Sequence, residues 1–464
     1  LKGRAPGSGI RDEKGTDAVA RVLASGGRVP KKFAKARPAS AGPTREAAEA
    51  QAKITPARRV AFEILTLVEA GKGHSDDLLR GVRMEALSEA DRHLTTALVM
   101  GVLRWQIALD ARIKGLLQRP DQQLPAAVAL VLRLGAFQLL HMDRIPAHAA
   151  LSESVEMCRA AGEPQATGLV NAVLRKLARA EKPKEKIFET TAAFAERLGH
   201  PAWLVERWVQ YYGRAAALKI CEGNQAEPGR GGLFAGGEAD LPEIDDGSRL
   251  VAELAAAALP PVDGRAARVW DCCAAPGGKT LLLARRLAGA EILATDVSAK
   301  RMNAMQGRLR RFPYAEAVKT AVLDAGKLPD AAGLFDLILC DVPCSGTGTL
   351  GRNPEIRLRL SADDLARQAS RQRAILDAAL ERLAPGGRLV YSTCSLEPEE
   401  NEQIAAGVSG AYRQVPVSGL MDQVTGLASS EGMVRDGALR TLPGVQPCDG
   451  FYAVVLERVP ASFE

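Results

Sequence analysis

Between Phe335 and Asn401 the sequence carries two apolar strand patterns, each running into a loop with a cysteine. The first ends in Asp341-Val342-Pro343-Cys344 and is followed by a long amphipathic helical pattern. The second ends in Ser392-Thr393-Cys394-Ser395 and leads to Pro398-Glu399-Glu400-Asn401. Two such strands bring both sulfurs to one edge of a parallel sheet. Ligands of open α/β sheets bind at the carboxyl ends of the strands. The pattern therefore predicts chemistry between Asp341, Cys344 and Cys394.

The rest of the C-terminal block alternates strand and helix periods, as a doubly wound parallel sheet does. Strands are expected at 268–272, 291–297, 317–324, 334–341, 388–393 and 451–459, and helices at 278–287, 299–311, 365–383 and from Glu400. The first strand runs into Asp271-Cys272-Cys273-Ala274-Ala275-Pro276-Gly277-Gly278-Lys279-Thr280. Small residues there let a ligand approach the backbone, and the start of the next helix offers free N–H groups. The glycine spacing fits neither the dinucleotide fingerprint nor a Walker loop. Asp296 ends the second strand, where a carboxylate can accept hydrogen bonds from ribose hydroxyls. Asp324 ends the third, within reach of an adenine amino group. With Asp341, three strand-end acids in series argue for an adenosine-bearing ligand, whereas each alone could be a helix cap.

Ahead of this block the pattern is helical throughout. Thr55 and Pro56 suit a helix start. Val60, Ile64, Leu67 and Val68 then share a face, and Ser88-Glu89-Ala90-Asp91 opens a stripe of Leu94, Leu98 and Val102. The fold class is thus multidomain: an all-α N-terminal domain over 54–180, a helical connector and Gly-rich linker over 181–247, and an α/β Rossmann-like domain over 248–464. Residues 1–53 hold 12 Lys/Arg against 5 Asp/Glu, a net of +7 in a chain of +6, with Phe33 their only aromatic residue. Such a stretch buries too little surface to offset its ordering entropy, so disorder is expected, either as an arm attracted to RNA phosphates or as a plain solvated extension.

Two resemblances follow from these motifs. Ala57-Arg58-Arg59-Val60-Ala61, Leu134-Gly135-Ala136-Phe137-Gln138-Leu139-Leu140, Ile145-Pro146-Ala147-His148-Ala149-Ala150 and Val170-Asn171-Ala172-Val173-Leu174-Arg175 resemble the RNA-binding antitermination factor NusB. The Asp271–Thr280 motif, Asp341-Val342-Pro343-Cys344-Ser345-Gly346-Thr347-Gly348, and Thr393-Cys394-Ser395 with Pro398-Glu399-Glu400-Asn401 resemble the S-adenosylmethionine-dependent RNA cytosine-5 methyltransferases. With the NusB-like front end, the likeness narrows to the bacterial Sun/Fmu (RsmB) branch, which modifies 16S ribosomal RNA. It implies S-adenosyl-L-methionine as cofactor, held by Cys273, Ala274, Ala275, Pro276, Gly277, Gly278, Lys279, Asp296, Asp324 and Asp341. It implies Cys394 as nucleophile, with Cys344 assisting product release and Asp341 engaging the base. The partner it implies is 16S ribosomal RNA, before full subunit assembly. Eight cysteines in a chain this long do not read as a disulfide scaffold, which places the chain in a reducing cytoplasm. The family's small RNA-binding α/β subdomain has no counterpart here beyond 223–247, which puts RNA-site selection in question.

Other readings remain at this stage. A tRNA cytosine-5 methyltransferase would carry the same cysteine pair, and a non-catalytic assembly factor could keep the shell. A DNA cytosine methyltransferase attacks with the Pro-Cys cysteine and has no need of Thr393-Cys394. Cys158, Cys221, Cys272, Cys340 and Cys448 read as small buried hydrophobes. No metal is expected, because paired C-x-x-C spacing is missing. No apolar run reaches the roughly 18–20 residues of a membrane span. Arg352-Asn353-Pro354 is a candidate for holding RNA phosphate, with a solvated loop as the plain alternative.

Overall fold

A computed structural model describes residues 45–180, 189–227, 229, 232–235, 240–408 and 410–459. The expected disorder of residues 1–53 lies outside these up to residue 44. The end of that stretch departs from the expectation: Arg45–Ala52 is a helix, α1, with Ala47 and Ala50 buried. Its run of Glu and Ala has high helix propensity, and the two alanines share a face.

The helical domain is built from α2 (Pro56–Glu69), α3 (Glu89–Lys114), α4 (Ala126–His141), α5 (Ala147–Ala160) and α6 (Thr167–Arg179). Ile64, Leu98, Val102, Val131, Leu134 and Leu174 are among its fully buried side chains. One polar cluster crosses the core. Arg58 donates to Gln138 at 2.6 Å and to Glu153 at 2.9 Å, tying α2 to α4 and α5. Ser88 caps α3 as expected, accepting the Asp91 N–H at 3.1 Å. Thr55 instead uses its hydroxyl on Glu153, at 2.8 Å.

The connector folds as α7 (Thr191–Arg197), α8 (Ala202–Tyr212) and α9 (Arg214–Gln225) around Phe194, Leu204, Trp208 and Ile220. Leu350 and Leu396, six and two residues past the two loop cysteines, complete that same core. The connector is therefore the floor beneath both cysteine loops. The Gly-rich linker that follows is not idle either. Leu233 enters the core of the α/β domain, and Phe234 bridges to Leu427.

The α/β domain opens with α10 (Asp246–Ala257) and holds β1 (Arg268–Asp271), β2 (Glu291–Asp296), β3 (Lys319–Val322), β4 (Phe335–Asp341), β5 (Leu383–Thr393), β6 (Tyr412–Val415), β7 (Val434–Arg435), β8 (Ala438–Arg440) and β9 (Tyr452–Arg458). They form one sheet in the order β3-β2-β1-β4-β5-β9-β8-β7, with β6 also paired to β9. Strands β1 to β5 are parallel, as expected. The wholly parallel sheet needs correction: β9 runs antiparallel to β5, and β6 and β8 antiparallel to β9. An apolar run reports burial on both faces, not direction, so the sequence pattern could not distinguish the two.

Alternate strand residues serve opposite faces. Val269, Leu337, Leu339 and Val390 join α11 (Gly278–Arg286) and α12 (Ala299–Leu309) on one side. Trp270, Ile338, Cys340 and Tyr391 join α13 (Ala362–Glu381) on the other. Because β1, β2, β4 and β5 run parallel, the loops that follow them open over a common edge. Among the described residues no helix is long and apolar enough to cross a membrane.

Candidate active site

The two cysteine loops meet at that edge. Cys344 Sγ and Cys394 Sγ lie 3.3 Å apart, and both side chains are half-buried. Their backbones are pinned to each other. Gly348 donates its N–H to the Cys394 carbonyl at 2.9 Å and accepts from Gly450 N at 2.8 Å. A Cβ at Gly348 would sit 2.1 Å from the Gly450 oxygen and 2.9 Å from the Cys394 oxygen, so only glycine permits this approach. The hydroxyl of Thr347 accepts the N–H of Leu396 at 2.9 Å. The distance between the sulfurs is thus set by the main chain of both loops.

A cavity of about 450 Å³ runs from this pair along the strand ends, lined by Cys273, Ala275, Asp296, Asp324, Asp341, Cys344 and Cys394 among others. Leu323, Val342 and Ile375 supply apolar wall. Asp296 is buried and receives the N–H groups of Ser298 at 2.8 Å and Ala275 at 3.3 Å. Asp324 also caps a short turn, accepting from Gly326 N at 3.1 Å. Gly277 lines no part of this cavity; it turns the chain at φ +92°, where a Cβ would meet Met305 at 2.7 Å.

A second, smaller cavity of about 270 Å³ lies behind the loop and is lined in part by Ala274, Pro276, Gly278, Lys279 and Asp341, with Ser248 and Asp245 from the far side. The Lys279 ammonium turns into it. It pairs with Asp341 at 2.9 Å and donates to Ser248 Oγ at 3.2 Å. The residue expected to hold cofactor therefore meets Asp341 from the smaller cavity. Asp341 is shared by both cavities, and its other oxygen accepts the Ser392 hydroxyl at 2.8 Å.

Charge is distributed unequally around the sulfurs. The hydrogen bond with Cys394, burial, and the negative charges of Cys394 and Glu400 push the Cys344 thiol well above its ordinary value. Burial opposes the charge on Lys279, but Asp341, with help from Asp245 and Cys394, outweighs it and holds the ammonium above its usual range. Asp271, at the end of β1, is buried and pushed up to about 7, against the Thr280 hydroxyl that it accepts at 2.6 Å. Asp271 is a fourth strand-end acid, and its position at the end of the first strand was the signal that could have found it. Nothing in the local sequence pointed to Ser248, and Glu400 stood out only as part of the Pro398-Glu399-Glu400-Asn401 motif, with no role attached.

The remaining cysteines have other surroundings. Cys158, Cys221, Cys272 and Cys340 are buried, and Cys448 is half-buried. Cys272 and Cys340 contact each other at 3.1 Å between the sheet and α13. No cluster suited to a metal ion occurs among the described residues. Arg352 pairs with Asp449 at 2.8 Å at the rim of the smaller cavity, while Asn353 lines a cleft that leads from Cys344 to His74 of the helical domain.

Comparisons with known proteins bear on most of the chain. Residues 256–457 match the family described as 16S rRNA methyltransferase RsmB/F, and residues 55–179 match the NusB family. A Bacillus subtilis protein named probable ribosomal RNA small subunit methyltransferase B is 30% identical over 450 residues, covering 86% of this chain and 98% of its own length. Ribosomal RNA small subunit methyltransferase B of Klebsiella pneumoniae is 33% identical over 430 residues, covering 83% and 95%. The crystal structure of PH0851 shares the fold at a TM-score of 0.65, with 23% identity, 87% of this chain and 99% of that one.

Proposed function

As a member of the ribosomal RNA small subunit methyltransferase B family, and so an RNA methyltransferase, the chain, we propose, uses S-adenosyl-L-methionine to methylate cytosine C5 in 16S ribosomal RNA through a covalent Cys394–C6 adduct. The observation that carries this reading is the pair of thiols 3.3 Å apart beside Asp341. A plain methyl transfer to an oxygen or nitrogen needs no thiol, whereas carbon C5 becomes nucleophilic only after a nucleophile adds next to it.

The larger cavity suits the cofactor. Asp296 offers a carboxylate for a ribose diol, Asp324 an acceptor for an adenine amino group, and Leu323, Val342 and Ile375 an apolar slot for the ring. Bound there, S-adenosylmethionine supplies an electrophilic methyl group. The chain's own residues do the rest. The Cys394 thiolate adds to C6, and the electron pair of the C5–C6 bond moves toward C5. Asp341, held by Lys279 and Ser392, engages N3 or the exocyclic amine as charge builds on the ring. After C5 is methylated, its proton must leave and the C6–S bond must break to restore the ring.

Cys344 suits that last step for an electrostatic reason. The charge and hydrogen bonding of Cys394 keep Cys344 protonated at the start. Once Cys394 is spent in the bond to C6, that repulsion disappears and Cys344 ionises more readily. It can then accept the C5 proton as Cys394 departs. The base must leave any helical stack to reach this site. RNA not yet closed in by full subunit assembly, in the cytoplasm, is therefore the proposed substrate.

The test is to incubate the protein with small-subunit ribosomal RNA and S-adenosylmethionine, then map 5-methylcytosine by bisulfite sequencing. The reading expects a modified cytosine that is lost in Cys394→Ala. Modification of tRNA alone, or of another atom, would replace it with a different transferase; no modification of any RNA would leave an assembly factor.

A further inference from the structure

The segment Pro398-Glu399-Glu400-Asn401 has no part in the chemistry above, yet its central side chain is the most heavily hydrogen-bonded carboxylate near the thiols. Glu400 is fully buried. One of its oxygens accepts the Ser345 N–H at 2.8 Å and the Gln372 side-chain amide at 2.9 Å. The other accepts the hydroxyls of Ser345 and Ser395 together. Those serines directly follow Cys344 and Cys394, and their hydroxyl oxygens are 3.0 Å apart. Its own carbonyl is fixed by the Tyr391 hydroxyl at 2.7 Å.

Building on the proposed roles of the two cysteines, we infer that Glu400 is their positioning residue: its carboxylate clasps the serine after each cysteine and so holds the two sulfurs face to face. Stability alone does not call for it. All of its partners among the described residues are uncharged, and burying a carboxylate without a cation is costly. An apolar side chain would fill the space without that cost. What a carboxylate adds is four acceptor sites in one plane, enough to bind two loops and α13 at a single point.

The clasp also explains why the thiols are unlike. Asp341 and Arg371 share one cavity with Cys344, and His74, Glu355 and Arg359 the other. The hydrogen bond with Cys394 and the charge of Glu400 are among the causes that disfavour its thiolate. Cys394 is instead among the groups that favour the Lys279 ammonium, after Asp341 and Asp245. Glu400→Gln keeps the volume but removes the charge and two of the four acceptor sites. Removing that charge should lower the pH at which Cys344 ionises, and a loss of kcat at constant KM is what a merely structural role would not give.

Two measurements on the full chain test the inference. In Glu400→Gln, kcat should fall about 100-fold, the scale of an ångström's misplacement of a reacting group. KM for S-adenosylmethionine should hold, since Glu400 does not line the larger cavity. Separately, the pH midpoint for iodoacetamide alkylation of Cys344, read by peptide mass, should be lower in Cys394→Ala/Glu400→Gln than in Cys394→Ala. The alkylation needs neither RNA nor methyl transfer, so it stands even if the proposed reaction does not. A kcat within about twofold of the parent, or a midpoint that fails to drop, overturns the inference. If Glu400→Gln does not fold, Ser345→Ala removes one arm of the clasp: a kcat loss of about tenfold at constant KM supports it, and an unchanged kcat overturns it.

Discussion

The loops after β4 and β5 deliver the same side chain to the same place, but into opposite surroundings. Cys344 precedes the serine that the buried Glu400 carboxylate binds, and is pushed well up by Cys394, by burial and by that charge. Cys394 lies on the side of Lys279, whose ammonium is held charged by Asp341, Asp245 and Cys394 itself. Their supports differ as well. The Cys394 loop is gripped by the connector, where the buried Glu397 accepts from Trp208 at 3.0 Å and from Arg207 at 2.8 Å. The Cys344 loop leads into a segment held by the helical domain: Glu355 accepts the Ser75 N–H at 3.1 Å, and Arg104 reaches the Gly351 carbonyl at 2.7 Å. Two identical thiols in contact need not share a task, because their neighbours hold one of them protonated.

The strongest way to break this comparison is to remove one thiol. Cys394→Ala should lower methyl transfer by at least about 10⁴-fold, since attack at C6 is assigned to Cys394 and Cys344 is held protonated beside it. Single-turnover transfer of labelled methyl to RNA measures it, and a loss equal to that of Cys344→Ala would make the two thiols interchangeable. Next in size is the cation. Lys279→Met removes the positive charge beside Asp341 and Cys394 and should cost about 10²–10³ in kcat, the usual scale for a preorganised electrostatic group. Calorimetry should find S-adenosylmethionine affinity within about threefold of the parent. A loss confined to cofactor affinity would return Lys279 to the cofactor and take the positive side out of the comparison.

Smaller effects sharpen rather than break it. Asp296→Ala lies away from both sulfurs and should weaken cofactor binding by about 10–100-fold, from lost charged hydrogen bonds of about 1.5–3 kcal/mol each. Equal affinity by calorimetry in a folded variant would remove the ribose assignment. Asp271, beneath the Asp341–Lys279 pair, gives the smallest signal. Burial raises its folded pKa to about 7 from 3.8, so the folded state holds a proton that the unfolded chain has released. Stability from this group is thus present below pH about 4 and is lost as pH rises toward 7, by at most about 1.4 kcal/mol per pH unit. Denaturant unfolding from pH 5 to 7 should show that fall in the parent, and Asp271→Asn should flatten it.

Much of this site was legible because its parts are local. A strand-end acid or a cysteine in a strand-to-helix loop is placed by the strand it follows, so Asp296, Asp341, Cys344 and Cys394 could be put on one edge from spacing alone. What the sequence hid was long-range. Lys279 reads as part of a ligand-binding loop, and only the fold turns it toward Asp341, 62 positions later in the chain. Glu400 reaches back to Ser345 across α13 and β5. Leu350 and Leu396 look like ordinary loop leucines, yet they complete the connector's core. The direction of β9 was equally invisible, since a buried strand has the same composition either way.

The central claim, that Cys394 attacks and Cys344 releases, is tested most directly by trapping the adduct. Parent, Cys344→Ala and Cys394→Ala proteins are incubated with ribosomal RNA, with and without S-adenosylmethionine, and run on a denaturing gel. The account predicts a cofactor-dependent protein–RNA complex that accumulates in Cys344→Ala and is missing in Cys394→Ala. A complex that forms in Cys394→Ala and not in Cys344→Ala would contradict it, and would assign the attack to the cysteine of the Asp341-Val342-Pro343-Cys344 loop.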